Sequence, residues 1–361
     1  MHVALLANTR WLGDELLSFR HLVVGLIDEQ VRVTQVLPDD LPAEETSTFA
    51  ERVVWAESAW EPINRYRLRR LAPVFASLEV ELIHAMDAPL WHGAAALGQA
   101  IHAPVLLNVN APDDLEALVR LTRTADPTQV VLVPTSVPLA HAIQREVDPA
   151  YTVRMIPPGV HPGRPARQRT PDDPLCAVVS GDGRSDGHYH ALVHALPAFL
   201  ERYPQAQFFF DGQGSDQHAL WRAASELELL HNVSLIPRRL GHHELLVRAD
   251  VLILPQPAHR VRALTLQAMA NSVPVIAMAD PWVDHLIDER TAWLVAEPKC
   301  DLWLDQLMRL AGNPAAARQL GERAVAWIRH HRLASQQVGE VLQLYRGVVG
   351  QTIRFPARHA G

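Results

Sequence analysis

Two histidines with helical spacing, and a third just before them, are the first candidates for chemistry in this sequence. His190 and His194 lie four residues apart, with His188 just before them, so a helix would place the first two on one face. Two imidazoles at that spacing can bind zinc. A solvated helix face is the interpretation we favour. A second segment, His242-His243-Glu244, lacks the histidine that follows the glutamate in the His-Glu-x-x-His motif of zinc proteases.

A basic run at residues 65–70, Arg-Tyr-Arg-Leu-Arg-Arg, follows Trp55 and Trp60. Such a segment suits an anionic membrane surface or an acidic acceptor. The simpler interpretation, a solvated helix face, is the one we favour here, and peripheral membrane contact stays open as an alternative. The tryptophans are otherwise typical of core or domain-interface packing.

Strands and helices that alternate along the chain must position these side chains. Short apolar runs alternate with longer segments of helical period, the pattern of βαβ units and parallel sheets. Strands are predicted at residues 3–7, 32–37, 81–84, 105–108, 130–134 and 153–156, then at 176–180, 207–210, 233–236, 251–254, 275–277 and 292–295. Helices are predicted at residues 16–29, 94–101, 137–145 and 335–349, and around an apolar stripe that runs from Leu220 to Leu230.

A proline-rich segment marks the expected domain boundary. Six prolines fall between residues 157 and 174, a density that neither a helix nor a central strand tolerates. We predict an N-terminal Rossmann-like domain over 1–160 and a second over 161–334. The last segment, 335–361, is predicted to be a helix that packs back on the first domain. Ligands of such doubly wound sheets bind beyond the carboxyl ends of the strands, which we expect to face a central cleft.

Composition excludes several classes of function. The chain has 361 residues, a net charge of −7 and two cysteines. An acidic chain lacks the basic footprint of general nucleic-acid binders. Two cysteines do not make a disulfide framework and fit a reducing compartment. Because the apolar run near the N-terminus is too short for a signal peptide or a membrane span, a cytoplasmic location is expected.

Ordered motifs then carry a family resemblance along nearly the whole chain. In the first half they are Glu81-Leu-Ile-His-Ala-Met-Asp87, the strand entry at 101–106, the strand at 130–136, and Ile156-Pro-Pro-Gly-Val-His161. In the second half they are Gly183-Arg184, Phe210-Asp-Gly-Gln-Gly214, the Asn-Val pair at 232–233, Ala249-Asp-Val-Leu-Ile-Leu-Pro255, and Leu266-Gln-Ala-Met-Ala270 with Pro274-Val-Ile-Ala277. In this order the motifs resemble the family 4 glycosyltransferases. That resemblance implies a GT-B fold and a retaining enzyme that uses a nucleotide sugar.

The resemblance also implies donor-binding residues in the second domain. It places a diphosphate-binding arginine at Arg184, whose planar fork can hold two phosphate oxygens. Gly183, Gly212 and Gly214 fall in the turns that approach the donor, although turn geometry alone also explains a Gly-x-Gly pair. The lysine that the family has after this arginine is absent.

The paired glutamates of the family are replaced as well. Next to Leu266, the ribose-binding position holds Gln267, which can still bond to two hydroxyls, and the sugar-facing position holds His259, which has no carboxylate. Arg260 and Arg262 are candidates to supply positive charge to the diphosphate instead. The alternative is that both arginines are exposed on a loop.

The first domain departs from the family too. After the first strand the family has paired glycines that let the backbone approach the phosphate. The resemblance therefore implies donor binding at Gly13, the single glycine in the segment that begins at Asn8. The family has a histidine after the strand that is entered at residues 101–106, and in this chain that position falls near Asn108 or Asn110. Asparagine can bind a hydroxyl group but does not transfer protons at neutral pH.

The sequence as a whole therefore predicts transfer of a hexose from a nucleotide sugar to an unknown acceptor, with retention of configuration. Arg184 and His259 would act on the donor side, and Asn108 or Asn110 on the acceptor side. Neither a metal nor another cofactor is expected. The alternative is a catalytically inactive homologue that acts as a binding or scaffolding protein. A nucleotide-sugar enzyme such as an epimerase is a third interpretation.

Overall fold

Two parallel sheets organise the chain, one in each of two units. The first unit comprises Met1–Gly159 and Ala334–Gly361, and the second comprises Val160–Leu333. The computed structural model describes residues 1–41, 49–58, 60–163, 170, 173–181, 187–211, 217–236 and 245–352.

The first unit holds seven strands and seven helices within its described residues. Its strands are β1 His2–Leu6, β2 Arg32–Pro38, β3 Glu51–Trp55, β4 Leu82–Ala85, β5 Val105–Val109, β6 Val130–Pro134 and β7 Thr152–Val153. Its helices are α1 Thr9–Asp28, α2 Glu61–Arg69, α3 Ala72–Ser77, α4 Trp91–Ile101, α5 Leu115–Thr122, α6 Val137–Glu146 and, from the C-terminal stretch, α12 Ala334–Thr352. Short 3₁₀ helices lie at Ala88–Leu90 and Pro112–Asp114.

The strand order of the first sheet is β3-β2-β1-β4-β5-β6-β7, and every pair is parallel. This is the doubly wound Rossmann order, in which the connections reverse direction between β1 and β4. Strand β1 is fully buried, as expected for a central parallel strand covered on both faces. The carboxyl ends of β1, β4 and β5 are therefore neighbours at one edge of the sheet.

Helix α1 begins earlier than its apolar pattern indicates. Asn8 is its N-cap, and its side-chain oxygen accepts a hydrogen bond of 2.7 Å from the backbone N–H of Trp11. The predicted start near residue 16 is therefore wrong. Gly13, which we expected in a turn after the first strand, is instead an exposed residue inside this helix.

The C-terminal helix α12 packs against α1. Val338 of α12 lies over Gly25 of α1, so close that a Cβ at Gly25 would be 2.5 Å from a Val338 methyl group. Tyr345, also on α12, is fully buried in the same core. The two stretches of the first unit are thus joined by a shared hydrophobic core.

The second unit repeats the architecture. Its strands are β8 Cys176–Val179, β9 Gln207–Asp211, β10 Val233–Ile236, β11 Val251–Leu254, β12 Val275–Met278 and β13 Trp293–Val295. Its described helices are α7 Gly187–Arg202, α8 Gln217–Glu226, α9 Ala263–Ala270, α10 Cys300–Gly312 and α11 Pro314–His331. The all-parallel strand order, β10-β9-β8-β11-β12-β13, places the switch point between β8 and β11.

Candidate functional site

In the first unit, three side chains join the carboxyl ends of β1, β4 and β5. Asn8 Nδ2 donates to Asp87 Oδ2 at 2.9 Å. Asn110 Nδ2 donates to the backbone oxygen of Met86 at 2.7 Å and lies 3.4 Å from Asp87 Oδ1. Burial raises the pKa of Asp87, although the hydrogen bonds from Asn8 and Asn110 oppose that shift. The edge of this sheet is therefore a polar cluster centred on a carboxylate.

A second carboxyl group, that of Asp114, lies beside this cluster. Its Oδ2 accepts hydrogen bonds from the backbone N–H groups of Asn110, at 3.2 Å, and Ala111, at 3.0 Å. Burial, together with the charge of Asp87, raises the pKa of Asp114 to about 6. The cluster thus contains a carboxyl group that changes protonation near neutral pH. Neither aspartate was predicted as a site residue, although each lies after the end of a strand.

Asn108 is turned toward the interior of the first unit by a buried histidine. His84 Nε2 lies 2.9 Å from Asn108 Oδ1, and His84 Nδ1 lies 2.6 Å from the hydroxyl oxygen of Tyr345. Burial lowers the pKa of His84 to about 4, so the ring is neutral at pH 7. Because Asn108 Oδ1 only accepts, His84 Nε2 carries the proton and Nδ1 accepts from Tyr345. Asn108 is therefore held in place by a chain of hydrogen bonds that ends on α12.

In the second unit, Arg262 lies buried at the carboxyl edge of the sheet. It is the residue before α9, and its Nη2 donates to Ser180 Oγ, which follows β8, at 3.0 Å. Only 6% of Arg262 is exposed. The interpretation of Arg262 as an exposed loop residue is therefore wrong, whereas Arg260 is half-buried. A buried guanidinium beside the switch point is a strong anchor for an anionic ligand.

At the same edge, His259 is hydrogen-bonded to the carboxylate of Asp280. Its backbone N–H donates to Asp280 Oδ2 at 2.7 Å, and its Nδ1 lies 3.3 Å from Asp280 Oδ1. The backbone N–H of Trp282 also donates to Asp280 Oδ1, at 3.0 Å. Asp280 follows β12, so its carboxylate lies next to a position where the family resemblance implies a glutamate. Asp280 was not predicted, because it lies 21 residues from His259 in sequence and meets it only across neighbouring strand ends.

A small pocket lies between these groups. It is lined by Arg260, Arg262, Asp280, Gln256 and His285, among others. Its volume of about 10 Å³ leaves room for roughly one water molecule. Within the described part of the chain, the buried atoms Gln256 Oε1 and His285 Nδ1 have no hydrogen-bond partner. Burial, and next the charge of Arg332, lower the pKa of His285 well below its ordinary value.

The structure places the other predicted site residues as follows. Gln267 is a half-buried residue of α9. Leu266 is fully buried in the core, so its side chain offers no surface to a ligand. Arg184, Gly183, Gly212 and Gly214 lie outside the described residues.

The histidines of α7 form a pair rather than a cluster. The rings of His190 and His194 stack with centroids 3.8 Å apart. Burial, together with the neighbouring His190, lowers the pKa of His194. Among the residues that the structure describes, no group of three or more His, Cys, Asp or Glu side chains is placed to hold a metal ion.

Comparison with known families finds a match, and it lies in the second unit. Residues 164–327 match the family model described as glycosyl transferases group 1. This stretch of the second unit is therefore similar to the group 1 glycosyl transferases. Arg262, His259 and Asp280 all lie within the matched stretch. No curated protein is similar enough in sequence to count as a relative of the chain.

Solved structures extend the likeness to the whole chain. A glycosyltransferase from Rickettsia africae superposes with a TM-score of 0.74 at 11% identity, over 96% of this chain and 98% of the other. Sucrose-phosphate synthase from Thermosynechococcus elongatus gives 0.75 at 18% identity, over 97% and 100%. Anabaena HepE, in complex with UDP and glucose, gives 0.75 at 13% identity, over 95% and 98%. The expected GT-B fold is confirmed, whereas the assignment to family 4 stays a prediction.

None of the described helices is long and apolar enough to span a membrane.

Proposed function

We propose that this chain transfers a hexose from a nucleotide sugar to an acceptor hydroxyl, with retention of configuration. The observation that carries the proposal is the family match over residues 164–327, because that stretch holds the buried arginine and the carboxylate at one sheet edge. HepE has been crystallised with UDP-glucose and with UDP, which makes UDP the first nucleotide to test.

The donor side is assigned to the second unit. When the sugar–phosphate bond breaks, negative charge develops on the leaving diphosphate, and fixed cations stabilise it. Arg262 suits that role because its burial strengthens the charge–charge interaction and Ser180 fixes its orientation. Arg184 and Arg260 are proposed as further diphosphate ligands. Gln267 is proposed to bind the ribose hydroxyls.

The sugar is proposed to lie near His259 and Asp280. Asp280 can accept hydrogen bonds from sugar hydroxyls, and His259 supplies the ring and the backbone N–H that orient the carboxylate. The pair would do what the family assigns to one glutamate at position 259. Through Asp280, a chain without that glutamate keeps a carboxylate at the sheet edge.

The acceptor side is assigned to the polar cluster of the first unit. Asn110 and Asp87 present hydrogen-bonding groups to an acceptor hydroxyl, and Asp114 has a pKa near neutrality. A carboxylate of that pKa can take up a proton late in the transfer. Asn108 is a positioning residue here, because its oxygen is engaged by His84.

Nucleotide binding is the first test. Ligands that bind only the folded state raise its melting temperature, so we expect one of UDP, GDP, ADP or TDP, with UDP first, to do so. Arg262→Lys keeps the charge but loses the planar fork, and we expect about tenfold to 100-fold weaker binding by calorimetry. Gln267→Ala should weaken binding by a smaller factor. Arg318→Gln, an exposed arginine of α11 paired with Glu322, is the matched control and should bind normally.

Transfer itself is tested by release of the nucleoside diphosphate from UDP-glucose across a panel of acceptors, with NMR of the product's anomeric proton. Retention and a dependence on Asp280, seen as loss of turnover in Asp280→Asn, are the expected results. Inversion would contradict the proposed stereochemistry.

A second candidate function, non-catalytic binding, is favoured by one observation. The two glutamates that the family resemblance implies are replaced by His259 and Gln267. No thermal shift with any nucleoside diphosphate at millimolar concentration, in a protein that unfolds cooperatively, would overturn the transferase proposal and favour this candidate.

A further inference from the structure

Helix α2 has an inner face that fixes it to the first unit. Asn64 is buried on this face, and its side chain exchanges two hydrogen bonds with the backbone of Ser58, at 2.8 and 2.7 Å. Leu68, one turn further on, is fully buried and packs directly on Gly93 of α4. The orientation of the helix is therefore set by its buried side chains.

The outer face of α2 exposes aromatic and cationic side chains together. Trp60, which precedes the helix, is 65% exposed, and Tyr66 is 62% exposed. Arg65, Arg69 and Arg70 are exposed beside them. Residues 66, 69 and 70, at spacings of three and four, share the side of the helix opposite Leu68, and Arg65 lies at the edge of that side. We call Trp60, Arg65, Tyr66, Arg69 and Arg70 the α2 outer face.

Among the described residues, the charges of this face have few acidic neighbours. From residue 62 to residue 78 the sequence has four arginines and no aspartate or glutamate. Arg67 is engaged by the backbone oxygen of Ala56, at 2.8 Å. Arg70 lies over the Tyr66 ring, 5.8 Å from its centroid. Within the described part of the chain, neither Arg65 nor Arg69 makes an ion pair. A basic face on a chain of net charge −7 is a local feature rather than a consequence of composition.

We propose that the α2 outer face docks on an anionic lipid surface. Arginine binds lipid phosphates through its fork, and tryptophan and tyrosine rings favour the headgroup region, where one end is apolar and the other hydrated. An acidic protein partner fits less well, because a nine-residue helix is only about 14 Å long. Its outer face is far smaller than the roughly 800 Å² per partner of a stable protein interface.

The position of α2 gives this docking a consequence for the site. All strands of the first sheet are parallel, so the segment after β3 leaves the sheet at the same edge as the Asp87 cluster. Within that segment, Glu57 Oε2 accepts a 3.0 Å hydrogen bond from the backbone N–H of Thr9, which follows β1. Trp60 therefore begins the helix near the edge proposed to bind the acceptor. Docking would bring that edge close to the lipid headgroups.

Co-sedimentation of the full chain with vesicles tests the proposal without any nucleotide. We expect binding to vesicles of phosphatidylcholine mixed with phosphatidylglycerol, little binding to phosphatidylcholine alone, and release by salt. Each arginine near an anionic surface is worth roughly fivefold in affinity. Arg69→Gln should therefore weaken binding about fivefold, and Arg65→Gln, Arg69→Gln and Arg70→Gln together on the order of 100-fold. Trp60→Ala with Tyr66→Ala should also weaken it.

Arg120→Gln is the matched control, because it removes one exposed arginine from α5 of the same unit. Equal losses in Arg69→Gln and Arg120→Gln would mean that only overall charge matters and would overturn the proposal. So would equal binding to both kinds of vesicle, or no binding to either, which would leave a soluble acidic partner for this face. The thermal shift with UDP should be unchanged in every α2 variant, so a failure here is separable from a failure of the transferase proposal.

Discussion

At the residue scale, Asp114 gives the first unit a pH dependence of unusual sign. Its pKa in the folded protein, about 6, is higher than that of an unfolded aspartate, near 4. Between those values the folded state binds the proton more tightly, so the stability from this group is present at low pH and lost as pH rises through about 6. Asp114→Asn imitates the protonated form and keeps an oxygen for the backbone of Asn110.

We therefore expect Asp114→Asn to match the wild type near pH 4 and to be more stable near pH 7, by on the order of 1–3 kcal/mol. Chemical denaturation at a series of pH values measures the difference. Asp28→Asn, at an exposed aspartate of α1, is the control and should show no such trend. A difference that is constant with pH would mean that Asp114 keeps an ordinary pKa.

Residue-level site prediction from the sequence succeeded only in part. Position along the chain led to Arg262 and His259, but not to Asp280, whose carboxylate meets His259 only because β11 and β12 are adjacent. Asn108 was predicted beside a ligand, yet it is hydrogen-bonded from within the fold by His84, which is itself hydrogen-bonded to Tyr345. Tyr345 lies 261 residues away from His84 in sequence, and no local pattern reveals such a contact.

At the scale of elements, fully buried strands were predictable and a strand with charged residues was not. Strands β6, β10 and β11 begin and end where the apolar runs predict. The predicted last strand of the first half shrinks to Thr152–Val153, because the prolines at 157 and 158 follow it closely. Strand β3 was not predicted, because charged residues at 51 and 52 hide the apolar ones. The basic run at residues 65–70 was expected to lie on a solvated helix face, and α2 has that face.

The glycines of α1 give a paired prediction at this scale. Gly13 is exposed with open space around it, so Gly13→Ala should stabilise the protein by about 1 kcal/mol through helix propensity. Gly25 lies against Val338, so Gly25→Ala should destabilise it by about 1–3 kcal/mol, because α12 must shift. Chemical denaturation measures both. Equal effects of the two substitutions would contradict the packing of α1 on α12, and weaker UDP binding in Gly13→Ala would restore Gly13 as a donor ligand.

At the scale of the whole molecule, the first unit depends on two stretches of chain that are far apart in sequence. Strand β1 and helix α12 share one hydrophobic core, although the entire second unit lies between them in the chain. Removing α12 would expose the apolar face of α1 and leave His84 Nδ1 without its hydroxyl donor. A buried polar atom that loses its partner costs about 1–3 kcal/mol, in addition to the lost apolar burial.

Truncation after Leu333 should therefore increase amide hydrogen exchange in β1 and β4 by orders of magnitude, as measured by mass spectrometry. Truncation after Thr352 keeps α12 and serves as the control, with exchange expected to match the full chain. The second unit has its own sheet and core, so its strands β8 and β11 should stay protected in both truncated chains. Protection of β1 that survives the loss of α12 would show that the first unit is complete without its C-terminal helix, and that the hydrogen bond from Tyr345 to His84 is dispensable for folding.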